Sequence, residues 1–400
     1  MIELSKAVEH RRPNLLRILA PRFADPKIIS FAAGYPSAES FPLEQMSEIS
    51  KNVILERGLT ALQYGPTDGM PSFRESVIEK YLIPFKKLKG VRPNELLVTT
   101  GSTQAFDLIN KAVLNPGDTV LVENPTFGGT MTQFEIAQVK TVGVEADDDG
   151  VIPEDLEDKI RKYHPKLFYV IPTFQNPTGR TLSLERRKKV AELAAKYDFF
   201  IVEDDPYSDL RFRGEAIPPI KYFDTADKVN LVCSFSKLFA PGLRLAVVLP
   251  PKELYGTLYY VKMGADMLTS SLVQAIADEF LRQDLLDGQV QKIIRLYKDR
   301  WNKMETAMKR FFPKDVSWVD IDGGMFTWMR LPGGSEKYDA LAMLEDCMEN
   351  YGVAYMPTAS FFIDQTIGQD TIRLNFTSAP YDRMEEGIEK LGHFLKKNIQ

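Results

Sequence analysis

The 400-residue chain is poor in the residues that build metal centres and disulfide frameworks, with two cysteines and three histidines. Cys233 and Cys347 are too few to staple a fold and suit a reducing compartment. His10, His164 and His393 lie far apart, and neither H-x-x-x-H nor C-x-x-C spacing occurs, so no metal site is expected. No stretch approaches the roughly 18 apolar residues of a membrane span. The opening Met1-Ile2-Glu3-Leu4-Ser5-Lys6 lacks an apolar signal core, and a cytoplasmic location is the expectation. A formal net charge of −5 gives no footprint for nucleic acid. The one basic cluster, Arg186-Arg187-Lys188-Lys189, reads as the solvated face of a helix and not as a patch for anionic lipid.

What is present describes an ordinary globular chain, 44% hydrophobic and 26% charged. Its length exceeds what one core usually serves, so more than one domain is expected. From about Glu95 to Pro250, short apolar runs alternate with helical patterns, which predicts an α/β unit with a largely parallel sheet. Strands are expected at Leu96 to Thr99, Thr119 to Val122, Leu167 to Ile171, Phe199 to Val202, Asn230 to Cys233 and Leu245 to Leu249. Ser183 is placed to cap the helix whose apolar side is Val190, Leu193, Ala194 and Tyr197. Past Asp287-Gly288 the pattern changes. Val290, Ile294, Tyr297, Trp301, Met304, Met308 and Phe311 predict one long helix ended by Pro313. Val316 to Val319, Met325 to Met329 and Thr371 to Phe376 then read as strands of a smaller α+β unit. The expected division is 1–45 as an N-terminal segment and lid, 46–287 as the large domain, and 288–400 as linker helix and small domain.

The chemistry concentrates in Ser234-Phe235-Ser236-Lys237, followed by Arg244. A lysine held in a pocket and stripped of water loses its proton near neutral pH and attacks a carbonyl. Pyridoxal 5′-phosphate is the carbonyl most often held this way. Its phosphate needs amide donors and hydroxyls at a helix start, which Gly101-Ser102-Thr103 offers, with Ser234 and Arg244 able to assist. Its ring nitrogen needs a carboxylate, and Asp204 in Glu203-Asp204-Asp205-Pro206-Tyr207 follows a strand run, where open α/β sheets bind ligands. Tyr207 and Asn176 are candidates for the ring oxygen, and Phe127 for a stacking face. Arg373 sits among apolar residues in Thr371 to Phe376 and suits a carboxylate; a structural ion pair is the competing reading.

In this order, the motifs resemble the fold-type I class I aminotransferases, which depend on pyridoxal 5′-phosphate, and in particular the branch with aromatic and kynurenine/2-aminoadipate aminotransferases. The resemblance runs from about Leu15 to Phe376. It rests on Asn176-Pro177-Thr178-Gly179, on Glu203 to Tyr207 and on Ser234 to Lys237 with Arg244. Phe31-Ala32-Ala33-Gly34, Leu62 to Gly69 and Gly323-Gly324-Met325-Phe326 support it. It implies a mostly parallel seven-stranded sheet between helices plus a smaller α+β domain. It implies that Lys237 bonds the cofactor and shuttles a proton, and that Asp204 pairs with the ring nitrogen. Tyr207 and Asn176 would bind the ring oxygen, and Ser102, Thr103, Ser234 and Arg244 the phosphate. Phe127 would stack on the ring, while Arg373 with Asn176 grips the substrate carboxylate. Gly34 would let the N-terminal segment approach closely. Tyr64 would reach the neighbouring subunit's cofactor, making the active unit a homodimer. Two departures stand out. Phe127 replaces a frequent Tyr or Trp, and Pro357-Thr358-Ala359-Ser360-Phe361 replaces a frequent Pro-Gly-x-x-Phe.

The implied activity is ping-pong transfer of an α-amino group from an amino acid to a 2-oxo acid such as 2-oxoglutarate. Aromatic donors are favoured by the aromatic residues between Arg12 and Ser40, while Arg17 or Arg22 would suit a distal carboxylate like that of 2-aminoadipate. The same scaffold also hosts β-lyases and decarboxylases. A sensor domain of a transcription regulator is a further alternative, but it would require a DNA-binding domain for which the N-terminal segment leaves no room.

Overall fold

The computed structural model describes residues 4–9, 15–23 and 25–399. His10, Arg12 and the side chain of Arg17 lie outside the described residues. The main sheet uses β1 (Leu97–Thr99), β2 (Thr119–Glu123), β3 (Lys140–Val144), β4 (Leu167–Val170), β5 (Phe200–Asp205), β6 (Val229–Ser234) and β7 (Ala246–Leu249). Its seven strands are ordered β1-β7-β6-β5-β4-β2-β3. Strands β4 and β6 are buried along their whole length, which is why they read as continuous apolar runs and not as alternating ones. The expected strands form within a residue or two of their predicted limits, except that β5 runs three residues past Val202 to Asp205. The edge strand β3 escaped the pattern because Lys140, Thr141 and Gly143 dilute its apolar signal.

Only β7 runs against its neighbours. The chain turns back from β6 into β7 through residues 235–245, the segment that holds Lys237 and Arg244. Ser234 and Ala246, at the two ends of that segment, are direct partners in the ladder. Both ends of the lysine loop are therefore fixed by a single pair of residues.

The long helix spans Leu285–Phe311 and buries Val290, Ile293, Tyr297, Trp301, Met304 and Met308 on one side. It begins before Asp287-Gly288, so that dipeptide lies inside the helix and not at its border. Nothing crowds Gly288, and the glycine costs the helix only about 1 kcal/mol of propensity. Ser183 stands at the N-cap of Leu184–Tyr197, but its side chain makes no capping bond.

Beyond the long helix, β8 (Ser317–Trp318), β9 (Phe326–Arg330), β10 (Met356–Pro357) and β11 (Thr371–Asn375) form a four-stranded antiparallel sheet, ordered β8-β9-β11-β10. The N-terminal segment joins this unit, with Ile29 and Ser30 pairing in parallel with Val353 and Ala354. That short ladder delivers Phe31 to Gly34 to the space between the two sheets. Among the described residues no helix is long and apolar enough to cross a membrane.

One buried ion cluster ties a helix to the end of β5. Lys86 is 2% exposed and lies 2.7 Å from Asp205 and 2.8 Å from Asp209. The Tyr81 hydroxyl also donates to Asp209 at 2.8 Å, and Asp205 accepts from the Ser208 hydroxyl at 2.7 Å. A single ammonium thus grips both ends of the turn that carries Tyr207. Removing one partner of such a cluster strands buried charge. Lys86→Met should therefore lower stability by about 3–5 kcal/mol, read as a fall in the urea midpoint; an unchanged midpoint would show that the cluster is not under tension.

Candidate active site

The carboxyl ends of the parallel strands form one rim, to which β5 brings Glu203 to Asp205 and β6 brings Ser234. Glu203, Asp204 and Asp205 are all buried at the end of β5, with successive side chains on opposite faces of the sheet. Asp204 Oδ2 accepts from the Tyr169 hydroxyl at 2.7 Å, and Tyr169 is itself braced edge-on by Phe106 and Phe134. Asp204 Oδ1 is buried and has no partner. Burial raises this carboxyl to about 7, the Tyr169 bond opposing and nearby Asp205 adding to the shift. An unpaired buried acceptor costs about 1–3 kcal/mol, so the site is built for a donor that the protein does not supply.

Lys237 closes the short turn Phe235–Lys237, which Ser234 caps by accepting from Ser236 N at 3.3 Å. Its Nζ donates to Gly34 O at 3.3 Å. Burial first, and then the cations Arg244 and Arg373, lower this amine to about 8. Gly34 serves twice here. Its carbonyl receives the lysine, and a Cβ on it would come within 3.1 Å of the Phe326 ring.

Arg373 is buried, donating to Asn176 Oδ1 at 2.6 Å and to Ala32 O at 2.7 Å. Phe326 and Phe361 flank the guanidinium at 4.2 and 5.5 Å. Its Nε has no partner, and burial lowers its pKa to about 10. Among the described residues no carboxylate pairs with it. The structural ion pair that competed for this arginine is therefore missing. Tyr207 packs edge-on against Phe326, with ring centres 5.9 Å apart. Burial, followed by Asp204, raises its phenol; Arg373 and a hydrogen bond with Asn176 oppose the rise.

The opposite end of the rim is an anion cradle. Gly101 precedes the helix Ser102–Val113 with φ +78, and a Cβ there would stand 2.4 Å from Arg244 Nη2. A guanidinium thus lies against a helix N-terminus, two positive ends side by side, and among the described residues no carboxylate pairs with Arg244. Ser102 is half-buried and Thr103 exposed at this start. Phe127 caps the next helix, Gly128–Ile136, half-buried, with its ring against Gly129. Lys237, Gly34, Arg373, Asn176 and Tyr207 are joined by these contacts and by the Phe326 ring, while Asp204 is linked to them through its charge acting on Tyr207. Tyr64 is not among them, being 81% exposed. Arg22 pairs with Glu345 at the surface.

Several residues that shape the rim carried no sequence signal. Tyr169 lies within the apolar run Leu167 to Val170, where it looks like core. Gln175 donates to Pro125 O at 2.8 Å and accepts from Thr178 N and Oγ1 at 3.0 and 2.7 Å, tying the Asn176 loop to the Phe127 loop. Glu123 accepts from Ile171 N at 2.8 Å, and burial raises it to about 8.

The orphaned oxygen of Asp204, the cradle at Gly101 and Arg244, and the depressed amine of Lys237 together fit pyridoxal 5′-phosphate: a ring N–H, a phosphate and an aldehyde. Only an unprotonated amine attacks the aldehyde. Uptake by the apo protein should therefore quicken as pH rises through about 8 and level off above it. Stopped-flow absorbance checks this, and a rate still climbing near pH ~10, as for an ordinary lysine, would contradict the buried setting.

Residues 26–391 match the family described as "Aminotransferase class I and II". Aromatic-amino-acid aminotransferase 1 of Thermococcus litoralis is 38% identical over 93% of this chain and 89% of its own length. The 2-aminoadipate transaminase of Thermus thermophilus is 35% identical over 93% of this chain and 91% of its own. Pyrococcus horikoshii kynurenine aminotransferase, solved in complex with PMP, KYN as substrates and KYA as products, superposes with a TM-score of 0.93 at 34% identity. That match covers 99% of this chain and 98% of the other. With the site's geometry in agreement, the chain belongs to the class I and II aminotransferases and is a pyridoxal 5′-phosphate-dependent aminotransferase.

Proposed function

We propose that the enzyme moves the α-amino group of an aromatic or 2-aminoadipate-like amino acid to a 2-oxo acid such as 2-oxoglutarate. The observation that carries this reading is the buried Arg373 guanidinium, free of any protein carboxylate among the described residues. It calls for a planar anion beside the lysine, and an α-carboxylate supplies one. Phe326 and Phe361 around it favour an aromatic side chain. Arg22, engaged by Glu345, is not free to receive a distal carboxylate; Arg17 stays a candidate for that role.

In this reading Asp204 Oδ1 holds the proton of the ring nitrogen, and Tyr169 keeps that carboxylate oriented. Tyr207 and Asn176 meet the ring oxygen. Ser102, Thr103, Ser234 and Arg244 take the phosphate, and Phe127 covers one face of the ring. Pyridoxal 5′-phosphate, when bound, supplies the sink for the electron pair released as a Cα–H bond breaks. Lys237 Nζ, whose lowered pKa leaves part of it neutral near pH 8, takes the Cα proton and later returns one, so that a single base serves both half-reactions. The packing of Phe326 and Phe361 over Arg373 excludes water from the carboxylate and strengthens its pairing.

The reading includes a cytoplasmic homodimer and the division 1–45, 46–287 and 288–400. Leu55, Leu59 and Leu62 are 73%, 98% and 66% exposed at helical spacing, beside the exposed Tyr64. Apolar residues so aligned mark a contact face, and a second copy would bring Tyr64 to the cofactor phosphate.

A panel of donors offered singly to the holoenzyme, before 2-oxoglutarate is added, tests the substrate. Phenylalanine, tyrosine and kynurenine should convert the bound cofactor to its amine form, seen as loss of its visible band. Turnover of aliphatic donors with these three inert would reject the aromatic reading. For the dimer, Leu55→Lys with Leu59→Lys should sediment as a monomer and bind the cofactor more weakly. A dimeric variant would place the contact elsewhere.

A further inference from the structure

Residues two apart on a strand share a face, so Phe326 and Trp328 on β9 lie on the same side of the small sheet as Thr371 and Arg373 on β11. Trp328 and Arg373 are direct cross-strand partners. Along this face runs a line of hydrogen bonds whose direction is forced. An indole N–H only donates, and Trp328 Nε1 donates to Thr358 Oγ1 at 3.1 Å. A carbonyl only accepts, and Gly368 O accepts from Thr371 Oγ1 at 2.6 Å. The 2.5 Å bond between the two hydroxyls must then run from Thr358 to Thr371. Both threonines are fully buried.

This line closes the base of residues 358–371, the excursion between β10 and β11, and Thr358 N adds a bond to Thr371 O at 3.1 Å. The far end of the excursion reaches the main sheet unit. Phe361 O accepts from Thr126 N at 2.9 Å, and Ile363 N donates to Asn124 Oδ1 at 3.1 Å. Phe127 follows Thr126 directly. The segment thus spans from the strand of Arg373 to the loop of Phe127, and Phe361 within it flanks the guanidinium.

We propose that Thr358 is a positioning residue: its hydroxyl fixes the base of a clasp, residues 358–371, that keeps Arg373 and the Phe127 loop aligned across the substrate cleft. The pattern that this chain otherwise resembles often has glycine at this place, which has no hydroxyl to give. The departure noted in the sequence is then a substitution with a job. Thr358 adopts φ −108 and ψ 6, on the negative-φ side open to a residue with a side chain, so the turn does not require glycine. The inference rests on the reading of Arg373 as the carboxylate site.

The test uses the holoenzyme and 3-phenylpropionate, a carboxylate that lacks the amino group and so binds without reacting. Thr358→Val removes the hydroxyl at constant shape, leaving the Trp328 N–H buried without an acceptor. Its dissociation constant for 3-phenylpropionate, followed through the cofactor band, should rise about tenfold, the worth of one or two buried hydrogen bonds. KM for the donor should rise more than kcat falls, and amide exchange should quicken over 359–367. Thr358→Ser, which keeps the hydroxyl, should behave as wild type. If Thr358→Val does not fold, Thr371→Val cuts the same line one bond later and carries the comparison. Wild-type binding and exchange in the valine variant, or a serine variant as weak as the valine one, would overturn the proposal. Arg373→Gln separates the two readings: full binding by it defeats the carboxylate site, whereas its loss beside an intact valine variant defeats the clasp alone.

Discussion

The site depends on buried ionisable groups that the protein leaves without counter-charges. Asp204 and Arg373 are buried and Lys237 half-buried, yet their partners among the described residues are neutral: a phenol, an amide, a carbonyl. Burying a charge without its opposite is among the most costly arrangements a fold can hold. Here the cost is limited by proton loss from the lysine and proton gain by the aspartate, both drawn toward neutral pH. The remaining deficit is what a ligand offsets. A ring N–H, an aldehyde and a carboxylate are the complements of Asp204, Lys237 and Arg373, so the site itself favours cofactor and substrate.

Holding such groups in place requires rigid surroundings, and these come from the ends of several strands at once. Asp204 is set by β5, Lys237 by the return from β6 to β7, and Arg373 by β11 of the other sheet. The N-terminal segment threads between them and presents two backbone carbonyls, Ala32 O to the arginine and Gly34 O to the lysine. Beneath β5, Lys86 compensates Asp205 and Asp209, so the turn bearing Tyr207 is charged on its buried side and aromatic on its active side. Adjacent residues of one strand therefore face opposite sides, Asp204 toward Tyr169 and Asp205 toward Lys86.

Much of this was legible in the sequence because the informative residues were out of place there. A lysine following two serines and an apolar run, an arginine inside a strand pattern and acidic residues at a strand end all conflict with simple burial rules. Those conflicts marked Lys237, Arg373 and Asp204. What stayed hidden obeyed the local rules. Tyr169 is a plausible core residue in an apolar strand, and nothing in its neighbours reveals the carboxylate across the sheet. Lys86 stands in Phe85-Lys86-Lys87-Leu88-Lys89, which reads as solvated charge, yet it is buried by partners more than a hundred positions away. The edge strand β3 needs little apolar content because only one neighbour pairs with it. Ser183 marks the right helix start but leaves its hydroxyl unused. Pattern identifies elements; the partners of a buried polar group come from the whole fold.

The pairing of Ser234 with Ala246 has a consequence for how this enzyme can vary. The lysine loop begins and ends on one rung of the ladder, so its length is fixed as firmly as its composition. A residue added or lost within it would either bulge the loop, turning Lys237 away from Gly34 and Arg244 away from Gly101, or slip β7 by one position. A slip would turn every side chain of that strand to the opposite face. Substitution is open to this loop and change of length is not. The turn that carries Lys237 should therefore keep constant spacing.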